Sequence, residues 1–159
     1  FYLSWKARLN GYETKFIGLA DEINRTMPKH VLTLLTDALN ARRKAVNGAR
    51  VLVLGVAYKR GVGDVRESPA IEIIEELVRK GAEVSYCDPF VPNLSIHSDM
   101  VLKAVELTPT RLQATDAVMI LTDHRAFDYS TVAQHASLIV DTRNAMRGIE
   151  DPQSRIVRL

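Results

Sequence analysis

The chain has 159 residues, 47% of them apolar and 25% charged, with a formal net charge of +2. That length fits one ordinary domain with an appended element, and the apolar share is enough for a packed core. So small a positive excess argues against nucleic acid or an anionic membrane as a partner, and the single cysteine, Cys87, rules out an internal disulfide and favours a reducing, cytoplasmic setting.

No unbroken apolar run reaches the length of a membrane span, and no signal-peptide pattern is present. The opening FYLSWKARLNGY, without a methionine, reads as the interior of a longer protein. From Lys15 to Lys44 the residues Phe16, Leu19, Ile23, Met27, Val31, Leu34, Leu35 and Ala38 recur at helical spacing, which predicts a long amphipathic helix. Pro28 removes the hydrogen bond to the Asn24 carbonyl, so a kink or a fresh start is expected near Met27. A helix of this length ahead of a compact domain either bridges domains or subunits or packs on its own sheet.

After Asn47-Gly48 the pattern changes to alternating strands and helices. Residues 50 to 57 read as a strand, with Val51, Leu52, Val53 and Leu54 apolar on both faces as in a central parallel strand. Ser68-Pro69 supplies a capping hydroxyl and a first-turn proline for a helix from Ser68 to Lys80, closed by Gly81. A second strand runs from Glu83 to Cys87, and the proline-containing FVPNLSIHSD reads as loop; residues 101 to 107 fit no single element. Thr108 to Thr115 reads as a short helix, Ala117 to Leu121 as a buried strand, Tyr129 to His135 as a helix, Leu138 to Asp141 as a strand, and the tail RIVRL as an edge strand. Strands separated by helices predict an α/β fold: a Rossmann-like, mainly parallel sheet with helices on both faces, preceded by the long amphipathic helix.

In such sheets ligands bind at the carboxyl ends of the strands near a switch in strand order. The four predicted strand ends carry Tyr58-Lys59, Asp88-Pro89, Thr122-Asp123-His124 and Asp141-Thr142-Arg143-Asn144. The first loop, which also holds Arg60, Asp64, Arg66 and Glu67, lacks both GxGxxG and a phosphate-loop GK[ST], so it is not a dinucleotide fingerprint. Lys59 offers a point charge and Arg66 a planar fork for phosphate oxygens, or else both are solvated surface charge. Arg143 follows an apolar strand beside Asp141, as a ligand-binding group or as half of a structural salt bridge. Asp64, Arg66 and Glu67 equally suit tying down their own loop. Cys87 reads as a buried, unactivated thiol, and His30, His97, His124 and His135 show no metal-ligand spacing.

Together the segments GVAYKRGVGDVRESPA, YCDPFVP, LTDH and VDTRNA, with FYLSWKAR and DEINRTMPKHV ahead of them, resemble the carboxyl-terminal part of the UDP-glucose/GDP-mannose dehydrogenase family. Within it, FYLSWKAR together with VDTRNA is most similar to the UDP-N-acetylglucosamine 6-dehydrogenases, which make a uronic acid precursor for surface polysaccharides. The resemblance implies a protein of three parts: an amino-terminal Rossmann domain for NAD, a central helical region that builds the homodimer, and a carboxyl-terminal domain for the UDP-sugar. Residues 1–47 would then belong to the central region and 48–159 to the UDP-sugar-binding domain.

The reaction it implies oxidises a sugar C6 alcohol to a carboxylate with two NAD, through a thioester on a cysteine that precedes FYLSWKAR. No catalytic residue is therefore expected within this chain, which alone should be inactive. By position Tyr58 and Lys59 resemble the substrate-contacting pair, Arg143 the arginine that reaches the UDP-sugar, and Arg66 the residue that reaches NAD across the domain cleft. The competing expectation is a non-catalytic dimerisation module whose strand-end charges are structural.

Overall fold

The structure, a computed structural model, describes residues 2–97, 100–150 and 155–159. Two helices come first, α1 (Tyr2–Leu9) and α2 (Lys15–Ala41). They are followed by β1 (Arg50–Leu54), α3 (Pro69–Arg79) and β2 (Glu83–Cys87), then by β3 (Asn93–His97) and β4 (Met100–Lys103). The chain closes with α4 (Pro109–Ala114), β5 (Ala117–Ile120), α5 (Tyr129–His135), β6 (Ile139–Asp141) and β7 (Ile156–Arg158).

Five strands form one parallel sheet in the order β2-β1-β5-β6-β7. Its centre is apolar on both faces because the strands alternate between two cores. Val51 and Val53 face α2 and α3 through Val31, Leu35, Leu39, Ile74 and Leu77. Leu52 and Leu54 face α4 and α5 through Leu112, Val132 and Ala133. Each fully buried aliphatic side chain of this kind contributes about 2 kcal/mol by leaving water. The right-handed crossovers that such parallel pairs require place helices on both faces, as the sequence predicts.

The helix starts follow local chemistry. Ser68 Oγ accepts from the Ala70 amide with Pro69 in the first turn, Thr108 caps α4 ahead of Pro109, and the Asp128 carboxylate accepts the Ser130 and Thr131 amides to open α5. The tail RIVRL supplies the edge strand β7.

Two expectations need correction. The stretch FVPNLSIHSD is not all loop: β3 pairs with β4 as an antiparallel hairpin, while residues 98 and 99 lie outside the described residues. Leu94 and Ile96 turn inward, Ser95 outward, so the pattern is that of a half-buried strand, which Pro89 and Pro92 ahead of it obscure. The long helix makes no fresh start at Met27; α2 passes through Pro28 as one element and ends at Ala41 rather than Lys44. Pro28 is itself buried, and the packing of the following turns holds the helix together where the hydrogen bond is missing.

Burial divides α2 in two. Beyond Pro28 its residues Val31, Leu32, Leu35, Ala38 and Leu39 are buried in the sheet's core. Before it, Phe16, Leu19 and Ile23 are exposed, as are Leu3, Trp5, Leu9 and Tyr12 in and after α1. Among the described residues no helix is long and apolar enough to cross a membrane.

Candidate functional site

The strand order turns at β1: the chain leaves it toward β2 on one side and returns to β5 on the other, opening a crevice between the carboxyl ends of β1 and β5. The two ends approach closely. Gly55, at φ +77°, lies so near Thr122 that a Cβ there would stand 2.2 Å from the Thr122 carbonyl oxygen. Only glycine satisfies both the backbone angle and the space.

From Gly55 the chain makes a compact loop closed by the Tyr58 amide donating to the Asp64 carbonyl at 2.8 Å. Its root is held by Asp88 at the end of β2, whose Oδ2 accepts the Val56 and Ala57 amides at 2.8 and 3.2 Å. Thr122 Oγ1 donates to the Ala57 carbonyl at 2.6 Å. Gly61 donates its amide to Nδ1 of the buried His124 at 3.1 Å, and His124 Nε2 lies 3.1 Å from Asp88 Oδ2. The exposed residues Tyr58, Lys59 and Arg60 are thus presented on a loop fastened at root and tip.

Asp123, following β5, gathers the cations. Arg60 bonds its carboxylate through Nη2 and its backbone carbonyl through Nε, the latter at 2.9 Å. The Arg143 guanidinium, from the loop after β6, lies 3.7 Å from the other carboxylate oxygen. Both arginines keep half of their side-chain surface open while Asp123 is largely covered, so the acid orients them and leaves their outer edges to a ligand. Lys59 and Tyr58 precede Arg60 on the same loop and are exposed, so the crevice combines cations with an aromatic residue, suited to a diphosphate carrying a ring.

Tyr58, Lys59 and Arg143 come from two loops of the one crevice. Asp141 is not the ion-pair partner of Arg143. It is buried and accepts backbone amides instead, from Arg143 and Ala145 at Oδ1 and from Met146 at Oδ2, which fixes the course of the loop while the guanidinium turns to Asp123. Arg66 stands apart. Its guanidinium makes a two-pronged contact with Asp64 at 3.0 and 2.7 Å, and the side chain is 87% exposed. The Arg66 guanidinium beside Asp64 holds that carboxyl down to about 2.

Arg60 and Asp123 both lie in segments that the sequence singles out, but their pairing is not legible there, because it forms across 63 positions of chain. Burial pushes the Cys87 thiol up from its ordinary value, the opposite of what a nucleophile needs. Among the described residues no three His, Cys, Asp or Glu side chains gather as a metal set. A groove of about 700 Å³ between α2 and α3, lined by Thr33, Thr36, Asp37, Glu72, Glu75 and Arg79 among others, lies on the helical face and is separate from the crevice.

Among the described residues a dinucleotide finds little: the loop from β1 to α3 carries Gly55, Gly61 and Gly63 without the GxGxxG spacing that brings a pyrophosphate onto a helix N-terminus, and Arg66, away from the crevice, keeps only an outer edge open beyond its two bonds to Asp64. NAD therefore does not fit as a ligand held by this chain alone. Arg66 suits an edge contact to it.

Residues 52–148 match the family described as UDP-glucose/GDP-mannose dehydrogenase family, UDP binding domain. The chain is 33% identical over 147 residues to the UDP-N-acetyl-D-mannosamine dehydrogenase of Pyrococcus horikoshii, covering 89% of this chain and 32% of that protein. It is 34% identical over 91 residues to the UDP-N-acetyl-D-glucosamine 6-dehydrogenase of Pseudomonas aeruginosa, covering 57% of this chain and 22% of that one. Among solved structures, that of the UDP-D-ManNAc dehydrogenase from Pyrococcus horikoshii superimposes with a TM-score of 0.70 at 27% identity, over 92% of this chain and 33% of that chain. The chain thus spans a third or less of the length of these relatives.

Proposed function

The chain belongs to the UDP-glucose/GDP-mannose dehydrogenase family, and from that membership we propose that it is the UDP-sugar-binding part of an NAD-dependent nucleotide-sugar 6-dehydrogenase. The observation that carries this reading is the convergence of Arg60 and Arg143 on Asp123 in one crevice, with the exposed Lys59 next to Arg60 on its loop. A diphosphate lies against Lys59 and the open edges of the arginines, and Tyr58, 58% exposed, covers an apolar ring face.

Oxidation of a primary alcohol to a carboxylate removes two hydrides, so the complete protein reduces two NAD for each sugar. Arg66 meets the cofactor at the edge of the cleft, and the remainder of the NAD site and the nucleophile come from outside these residues. Cys87, half-buried on β2 with a raised pKa, does not take the nucleophile's role. The substrate is proposed as UDP-N-acetylglucosamine, for surface polysaccharide synthesis in the cytoplasm, and the 159 residues alone are expected not to reduce NAD. We further infer a homodimer through α1 and the exposed half of α2, with residues 1–47 serving as the connecting region of a domain at 48–159.

Isothermal titration of the chain with UDP tests the reading. Heat of binding is expected, with affinity falling about tenfold in Arg143→Ala through loss of a charge-assisted contact. A folded chain silent to millimolar UDP overturns it. The second reading, a dimerisation module, draws on the ion pairs of Asp123 with Arg60 and Arg143 and on the exposed apolar helices; it predicts no UDP binding and an unchanged dimer.

A further inference from the structure

His124 is completely buried, and its ring is fixed from several sides. Phe90 and Phe127 lie 5.0 and 5.6 Å from it by ring centroids, and the Tyr129 hydroxyl donates to its backbone carbonyl at 3.1 Å. Its two nitrogens have different partners. The Gly61 amide can only donate, so Nδ1 must be the bare, accepting nitrogen, and the ring proton sits on Nε2, facing Asp88 Oδ2. That same oxygen accepts the Val56 and Ala57 amides, while Oδ1 accepts the Phe90 amide at 2.8 Å.

A histidine that merely filled the core would need one partner for each nitrogen anywhere in its surroundings. Here both bonds lead to one loop. Asp88 grips it at Val56 and Ala57, and His124 grips it at Gly61, so the carboxylate and imidazole together bracket Tyr58, Lys59 and Arg60. We propose that His124 is a positioning residue, which through its bare Nδ1 and the Asp88-held Nε2 proton fixes the Tyr58–Arg60 loop in the arrangement that binds the UDP-sugar. The proposal rests on the functional reading above. It adds a residue that touches no ligand and acts through the Gly61 amide.

The imidazole can be divided by substitution. In His124→Asn the side-chain oxygen stands where Nδ1 stood and keeps the Gly61 bond, whereas in His124→Gln the amide nitrogen stands where Nε2 stood and keeps only the Asp88 bond. In the 159-residue chain, imidazole nitrogen shifts should show Nδ1 bare and Nε2 protonated, and the Gly61 amide should exchange slowly with solvent. His124→Asn is expected to keep that slow exchange and bind UDP within about threefold of the unmodified chain, while His124→Gln loses both by about tenfold, the equivalent of one hydrogen bond. Equal Gly61 exchange and equal UDP affinity in the two variants overturn the proposal, as does a loss that follows melting temperature alone. Should a variant not fold, a ring proton found on Nδ1 of the unmodified chain overturns it directly, and one found on Nε2 with a protected Gly61 amide upholds it. A chain silent to UDP overturns the functional reading separately, and Gly61 exchange in the variants then still decides whether His124 positions the loop.

Discussion

Two glycines of the site loop share a backbone angle of +77° but differ in what surrounds them. Nothing lies within 4 Å of a Cβ at Gly61, so Gly61→Ala should cost only the left-handed backbone penalty, about 1 kcal/mol. At Gly55 the added methyl meets Thr122 backbone and side chain as well, and Gly55→Ala should cost about 3 kcal/mol or more and spread the two strand ends. Urea denaturation of both variants checks the difference; equal costs would mean that β1 and β5 do not approach as closely as described. Such a contact is invisible in sequence, where Gly55 is one more loop glycine. The same limit applied to Arg143: adjacency suggested Asp141 as its partner, but a carboxylate that can collect three backbone amides is better satisfied by them, and the guanidinium is left for Asp123. Tyr58, Lys59 and Arg143 were legible as candidates because the strands were, although β1 ends at Leu54 rather than at residue 57, whereas Arg60 and His124 acquire their roles from partners dozens of residues away.

At the scale of elements, the parallel sheet was readable because Val51 to Leu54 are apolar without alternation, and the capped helices because Ser68-Pro69 and Thr108-Pro109 announce them. The β3–β4 hairpin was not, since two prolines precede Leu94 and outweigh its short alternation. The joint between α2 and the sheet gives a pH prediction. Asp116, at the amino end of β5, ion-pairs with Lys44 and accepts the Arg50 amide at 2.8 Å, linking the exit of α2 to the start of β1. Burial opposes its ionisation, but the bonds from Lys44 and Arg50 prevail and hold its carboxyl down to about 2. A carboxyl depressed by folding stabilises above its unfolded value of about 4 and loses that contribution as pH falls toward the folded one. The stability gap between the unmodified chain and Asp116→Asn, from urea midpoints, should therefore be full at pH 6 and above, shrink between about pH 4 and pH 2, and vanish below. A gap that does not change with pH counts against the linkage.

For the whole molecule, the exposed Phe16, Leu19 and Ile23, with Leu3, Trp5, Leu9 and Tyr12, make an apolar surface that water penalises. Sedimentation velocity should find the chain dimeric, and Phe16→Asp with Ile23→Asp should give a monomer whose urea stability per chain, compared at matched concentration, changes by no more than about 1 kcal/mol once the dimer's contribution is removed. A monomeric unmodified chain argues against the interface. Helix α2 is a rod about 40 Å long at 1.5 Å per residue, clamped beyond Pro28 by the sheet's core and open before it. Its one residue without an amide to bond the preceding turn stands where clamp ends and lever begins, so the rod is softest at its fulcrum. A few degrees of flexure there would swing the exposed half of the rod through ångströms relative to the sheet, so the angle between the two can change at Pro28 without unpacking the buried turns that follow it.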